Sequence, residues 1–124
     1  LPLSHLLPDV ALPRDIAARI LIRLGTAVIP SMERILDEKG AERRSEAIDV
    51  IGHVAWTSGD TRSERKLLDL YAKTESALLR WKIVRALRSF HSEETFELLV
   101  RISESGDAVL RNEAKRSLAE FRTK

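Results

Sequence analysis

The sequence predicts an all-α protein, an α-solenoid of about three and a half antiparallel helix-pair repeats. Three observations predict it. Arginines recur at near-constant spacing, at Arg14, Arg44, Arg80 and Arg111, with gaps of 30, 36 and 31 residues. Self-similarity at such a period marks a tandem array of one supersecondary unit. Each arginine also leads one downstream pattern: a small or aliphatic residue three on and a mostly aliphatic pair six and seven on. These read Arg14–Ala17–Ile20–Leu21, Arg44–Ala47–Val50–Ile51, Arg80–Ile83–Ala86–Leu87 and Arg111–Ala114–Ser117–Leu118. Finally, aromatics make up only 5% of the chain, whereas residues that lose little side-chain freedom in a helix are abundant. That balance favours helices over a sandwich or barrel.

The elements follow in order. Ser4 to Leu7 reads as the tail of a helix, broken by Pro8 and Asp9. Pro13 suits a first helical turn, and Ile16, Ala17, Ile20, Leu21 and Leu24 form an i, i+3/i+4 stripe over Arg14–Leu24. Gly25 stops that helix. Thr26 is placed to cap the next, whose stripe is Val28, Ile29, Met32, Ile35 and Leu36. Pro30 lies near its start, where a missing amide costs no hydrogen bond. Gly40 closes it, and Ala41–Ala55 is its partner, buried through Ala47, Ile48, Val50, Ile51 and Val54. Trp56 to Thr61 reads as a turn cluster, which explains the longest gap.

A helix of about 13 residues follows, with Leu67, Leu68, Leu70, Tyr71 and Ala72 inward. Ser76 is an N-cap for Ala77–Phe90, whose stripe is Leu79, Ile83, Val84, Leu87 and Phe90. Ser92, Glu93, Glu94 and Thr95 form a capped, acid-first start, favoured by the helix dipole. Phe96, Leu98, Leu99 and Ile102 make that helix's inner face. Gly106 and Asp107 form the last turn before Val109–Phe121. About seven helices result. None can bury its apolar face alone, and stacking the pairs builds one continuous core. The reading is one domain over residues 1–124, with units of roughly 1–25, 26–58, 59–91 and 92–124. The opening Leu1-Pro2-Leu3-Ser4, without Met or a leader pattern, reads as a cut into a longer chain.

A length of 124 residues with 44% hydrophobic and 32% charged residues suits an ordinary globular core. There is no cysteine, which excludes a disulfide framework and a thiolate metal site. No apolar run approaches the roughly 18 residues of a membrane span, so a cytoplasmic protein is expected. The net charge of +2 is weak evidence for a nucleic-acid partner.

The residues resemble HEAT repeats, of the short type also found in bilin lyases. The most specific match is Pro30 in a first helix followed by Arg44 in the second. Around them, Ile29-Pro30, Met32, Ile35-Leu36, Arg44, Ala47-Ile48 and Val50-Ile51-Gly52 resemble a whole unit. The second-helix half recurs at Leu79-Arg80, Ile83, Ala86-Leu87 and at Leu110-Arg111, Ala114, Leu118. Lys66 and Glu97 stand where the proline recurs in the family. The acidic residue six before the arginine is present only as Glu38, with Thr74 and Ser105 at the equivalent places. Arg14, Pro30, Arg44, Arg80 and Arg111 are therefore assigned as structural repeat positions.

Catalytic signatures are missing from the sequence. There is no phosphate loop, dinucleotide fingerprint, His-Glu-x-x-His helix or nucleophile elbow. His5, His53 and His91 are scattered, so no metal or cofactor is expected. Glu93-Glu94 are read as helix-start acids.

In HEAT solenoids the second helices line the concave face, so the resemblance implies that their non-core positions form the docking surface. On Ser76–Phe90 these are Trp81, Lys82, Arg85, Arg88 and Ser89. The next second helix adds Asn112, Lys115 and Arg116 in the same phase, with Arg122 beyond; Asp49 interrupts the strip upstream. Trp81 is the best single anchor, suited to a partner hot spot or to stacking, or else to packing against the neighbouring unit. The resulting expectation is a non-catalytic protein-binding scaffold, its partner another protein or domain with an acidic segment, its oligomeric state open. The alternatives are nucleic-acid backbone binding, as resemblance to HEAT-like alkylpurine DNA glycosylases implies, and a bilin-lyase-like or chaperone-like subunit.

Overall fold

The computed structural model describes residues 25–121. The expected helix over Arg14–Leu24, with its repeat arginine Arg14, lies outside the described residues, as do the Ser4–Leu7 segment, His5 and Arg122. A 3-10 turn at Gly25–Val28 leads into six α-helices: α1 Ile29–Leu36, α2 Ala41–Ser58, α3 Glu64–Lys73, α4 Ala77–Ala86, α5 Glu93–Ser103 and α6 Ala108–Phe121. Among the described residues there is no strand. Helix α1 packs on α2, α3 on α4 and α5 on α6, while α2, α4 and α6 lie side by side. This is the predicted all-α solenoid.

The apolar stripes decide what is buried. Ile29, Met32, Ile35 and Leu36 of α1 join Ala47, Ile48, Val50, Ile51 and Val54 of α2. Leu67, Leu68 and Leu70 of α3, Leu79, Ile83 and Val84 of α4, and Leu99 and Ile102 of α5 continue the same cluster. Side-chain caps start three of the six helices. Ser76 Oγ accepts from the Leu79 amide and Ser92 Oγ from the Thr95 amide, each at 3.2 Å. Asp107 Oδ1 accepts from the Val109 and Leu110 amides at 3.0 and 3.1 Å. Thr26 is not a cap. The 3-10 turn puts Val28 at the start of α1 without any side-chain bond, and Pro30 sits in the first turn as expected.

Several boundaries differ from the sequence expectation. The stretch Trp56–Ser58 is helical rather than turn, because α2 runs on to Ser58. Thr57 Oγ1 donates to the His53 carbonyl at 2.9 Å and Ser58 Oγ to the Val54 carbonyl at 2.6 Å. These hydroxyls turn back on the helix instead of capping a new one. Gly59, at φ +77°, ends α2 in the left-handed region that glycine enters without steric cost. Helix α3 is correspondingly shorter than expected, with 10 residues. The helix expected over Ala77–Phe90 stops at Ala86 and tightens into a 3-10 turn at Leu87–Ser89, after which Phe90 is extended. Leu87 and Phe90 still reach the core. In α5, Phe96 is 39% exposed and Thr95 is buried in its place. Ala72 of α3 is exposed and Tyr71 half-buried.

The two layers hold neighbouring pairs in different ways. Second helices meet through backbone. A Cβ on Gly52 would lie 3.0 Å from Ala86 Cβ, Ser89 Oγ donates to the Gly52 carbonyl at 3.0 Å, and Ser117 Oγ donates to the Val84 carbonyl at 2.8 Å. First helices are bridged by polar side chains. Ser63 Oγ donates to Glu33 at 2.8 Å and Lys66 pairs with Asp37 at 2.8 Å. One unit on, Ser92 and Thr95 both donate to Glu64, and Arg65 pairs with Glu94. Thr95 is 0% exposed, so Glu64→Ala would leave its hydroxyl buried without that acceptor. We expect Glu64→Ala to cost about 1–3 kcal/mol in urea unfolding, since a buried hydroxyl left without an acceptor incurs its full desolvation penalty. A cost no larger than that of an exposed alanine substitution would mean that water replaces the carboxylate.

Candidate functional site

The cap at Ser76 sets the register of α4. With Leu79, Ile83, Val84 and Ala86 inward, the turns of the helix leave Trp81, Lys82 and Arg85 along its outer side. Arg88 follows in the 3-10 turn. All four are half-buried, lying against the layer rather than standing free of it. Lys82 Nζ and the Arg85 guanidinium each lie 5.5 Å from the centre of the Trp81 ring, inside cation–π range. The Arg88 guanidinium lies 5.6 Å from the Trp56 ring on α2.

Carboxylates from the adjoining second helices meet these cations. Lys82 pairs with Asp49 of α2 at 2.6 Å, and Arg88 with Glu120 of α6 at 3.5 Å. Arg116 pairs with Glu113 at 2.9 Å, one turn away on the same helix. Arg85, by contrast, has its closest described company in the Trp81 ring and in a small crevice lined by Asp49, Gly52 and His53. Asn112 and Lys115 are exposed on α6. Lys115 borders a separate groove with Phe96, Val100, Leu118 and Ala119. The structure thus brings Trp81, Lys82, Arg85 and Arg88 together and sets Lys115 apart. Ser89, expected among the wet positions, is 3% exposed, because its hydroxyl bonds the Gly52 backbone.

Trp56 and Glu120 belong to this surface and were not assigned to it from sequence, while Asp49, read there as an interruption of the strip, is the ion-pair partner of Lys82. A signal existed: Asp49 and Lys82 are 33 residues apart, and Arg88 and Glu120 are 32 apart, both close to one repeat. Opposite charges one repeat apart face each other across a stacked pair.

Among the described residues, the repeat arginines Arg44, Arg80 and Arg111 face their own pairs. Arg44 Nε donates to the Leu36 carbonyl at 3.1 Å, and Arg111 Nη1 to the Ser105 carbonyl at 3.2 Å. Each thereby bonds a carbonyl at the end of its preceding first helix, where the helix dipole favours positive charge. Arg80 lies 5.7 Å from the Tyr71 ring instead. Burial raises the Tyr71 phenol above its ordinary pKa, and the Arg80 charge opposes that rise. Glu38, six before Arg44, pairs with Arg43 at 2.7 Å.

Among the described residues no group of His, Asp or Glu could hold a metal ion, and no helix is long and apolar enough to cross a membrane. His53 is exposed, and His91 stacks on Phe121 with ring centroids 4.9 Å apart. Compared with known families, the chain matches a family model described as HEAT repeats over residues 29–119. No curated protein matches it.

Proposed function

The chain belongs to the HEAT-repeat family, and from that premise we propose that it is a non-catalytic scaffold whose second-helix face binds an acidic segment of another protein. HEAT repeats commonly serve as protein-interaction scaffolds. The observation that carries the finer reading is the Trp81 indole with two cations at 5.5 Å. Tryptophan and arginine dominate interface energetics, because a large ring and a planar fork bury area at little entropic cost. Here Trp81 is the anchor, Arg85 offers its fork to a carboxylate, and Lys82 and Arg88 flank it. Asn112 and Arg116 extend the polar rim on α6, while Lys115 lies apart on the α5–α6 groove.

The ion pairs favour a protein over a phosphate backbone. Affinity for a duplex grows with the number of phosphates that cations neutralise. Lys82, Arg88 and Arg116 already face Asp49, Glu120 and Glu113, so a duplex would have to displace three carboxylates. A peptide needs only the ring and the nearest fork.

Binding of labelled acidic peptides and of a generic duplex, measured by fluorescence anisotropy across a salt series, tests this. Trp81→Ala is expected to weaken peptide binding by about tenfold or more, as at interface hot spots. Helix content and melting should barely change. A large loss of stability would instead make Trp81 a packing residue. Duplex binding that falls steeply with salt, and vanishes in the Lys82/Arg85/Arg88 triple alanine, would put nucleic acid in first place.

A further inference from the structure

The crevice between α2 and α4 is lined by two arginines, each held against a tryptophan. The Arg85 guanidinium lies 5.5 Å from the centre of the Trp81 ring, and the Arg88 guanidinium lies 5.6 Å from that of Trp56. His53 of α2 lines the same crevice. Helices α2 and α4 approach so closely here that a Cβ on Gly52 would lie 3.0 Å from Ala86 Cβ. Gly52, Ala86 and Ser89 therefore line it with nothing longer than a hydroxymethyl group.

The donors left over decide what this crevice can take. Asp49 is the one acid in its lining, and Lys82 neutralises that charge at 2.6 Å. The Ser89 hydroxyl is committed to the Gly52 carbonyl. Among the described residues Arg85 makes neither an ion pair nor a hydrogen bond. Arg88 approaches Glu120 through Nε at 3.5 Å, the longest ion pair on this surface, and its two Nη groups bond no acceptor among the described residues. A carboxylate brings one charge and two oxygens, which the Arg85 fork alone saturates. A phosphorylated side chain brings about 1.5 to 2 negative charges near pH 7 and three acceptor oxygens. It can engage the Arg85 fork, the Arg88 Nη groups and the His53 imidazole together.

We propose that the α2–α4 crevice is a phosphoryl-binding subsite, and that the segment docked on Trp81 carries a phosphorylated residue seated between Arg85 and Arg88. This rests on the reading of the second-helix face as a surface for an acidic segment, and it names the group that gives that segment its specificity. The two indole rings hold the guanidinium groups before the ligand arrives, so less side-chain freedom is lost on binding. A nucleic-acid backbone fits less well. Each phosphodiester carries a single charge and brings further phosphates toward a surface where Asp49, Glu120 and Glu113 stand.

Three fluorescein-labelled peptides of Glu, Asp and Gly, identical except for a central serine, glutamate or phosphoserine, test this by fluorescence anisotropy at physiological salt. The phosphoserine peptide is expected to bind about tenfold or more tightly than the glutamate peptide, the gain from added charge-assisted hydrogen bonds. Arg85→Lys and Arg88→Lys keep the charge and lose the planar fork, so each should cut that ratio to about threefold or less. Circular dichroism checks that both variants fold. Equal binding of the phosphoserine and glutamate peptides, with Trp81→Ala weakening both, would overturn the subsite and leave the acidic-segment reading standing. Binding of none of the three peptides would overturn both. A ratio unchanged in both lysine variants would put the phosphate outside this crevice and overturn the proposal. So would displacement of the phosphoserine peptide by a single-stranded oligonucleotide at equal phosphate concentration, which would make the crevice a reader of nucleic-acid backbone.

Discussion

Leu87→Ala is expected to lower the unfolding free energy by about 2–5 kcal/mol, the range for truncating a buried leucine whose site collapses incompletely. Leu87 is 0% exposed and sits in the 3-10 turn after α4, which packs against both α2 and α6. In a stacked array each unit touches only its neighbours, so a cavity at a shared seam weakens two interfaces together. Equilibrium urea unfolding followed by far-UV circular dichroism reads the effect as a lower midpoint. A cost under about 1 kcal/mol would mean that the seam closes over the missing methyls.

Gly52→Val is expected to cost about 1–3 kcal/mol, the usual penalty of overpacking. The sign is informative, because a glycine inside a helix ordinarily destabilises it by roughly 0.5–1 kcal/mol relative to alanine. Here the added Cβ meets Ala86 Cβ at 3.0 Å and Ala86 Cα at 3.3 Å, and the branched methyls have nowhere to go. Helices α2 and α4 must separate, which also loosens the Ser89 bond to the Gly52 carbonyl. Thermal unfolding of Gly52→Val beside Gly106→Ala makes the comparison. Gly106 has open space around its Cβ position, so its substitution should stay within about 0.5 kcal/mol of wild type. Equal behaviour of the two variants would show that the α2–α4 spacing is not set by this contact.

The candidate surface was only partly legible in the sequence. Trp81, Lys82, Arg85 and Arg88 follow from counting turns after the Ser76 cap. Their carboxylate partners do not, because Asp49 and Glu120 come from other units and local periodicity says nothing about what faces a helix. Lys115 stands four after Arg111, in the phase of buried Ile48 and Val84 rather than in that of Trp81, Lys82, Arg85 and Arg88, and it borders the α5–α6 groove.

The sequence alone determined the repeat, the number of helices over the described residues and which stripe of each goes inward. Those properties rest on 3.6-residue periodicity, on cap residues and on the need of every apolar face for cover, all of which are local. Tertiary structure decided that Thr95, bonded to Glu64, rather than Phe96 is buried, and that Lys82 and Arg88 meet Asp49 and Glu120. Each of those depends on a neighbouring unit about thirty residues away. Stacking supplies the acceptor, carboxylate or covering side chain that no single helix carries.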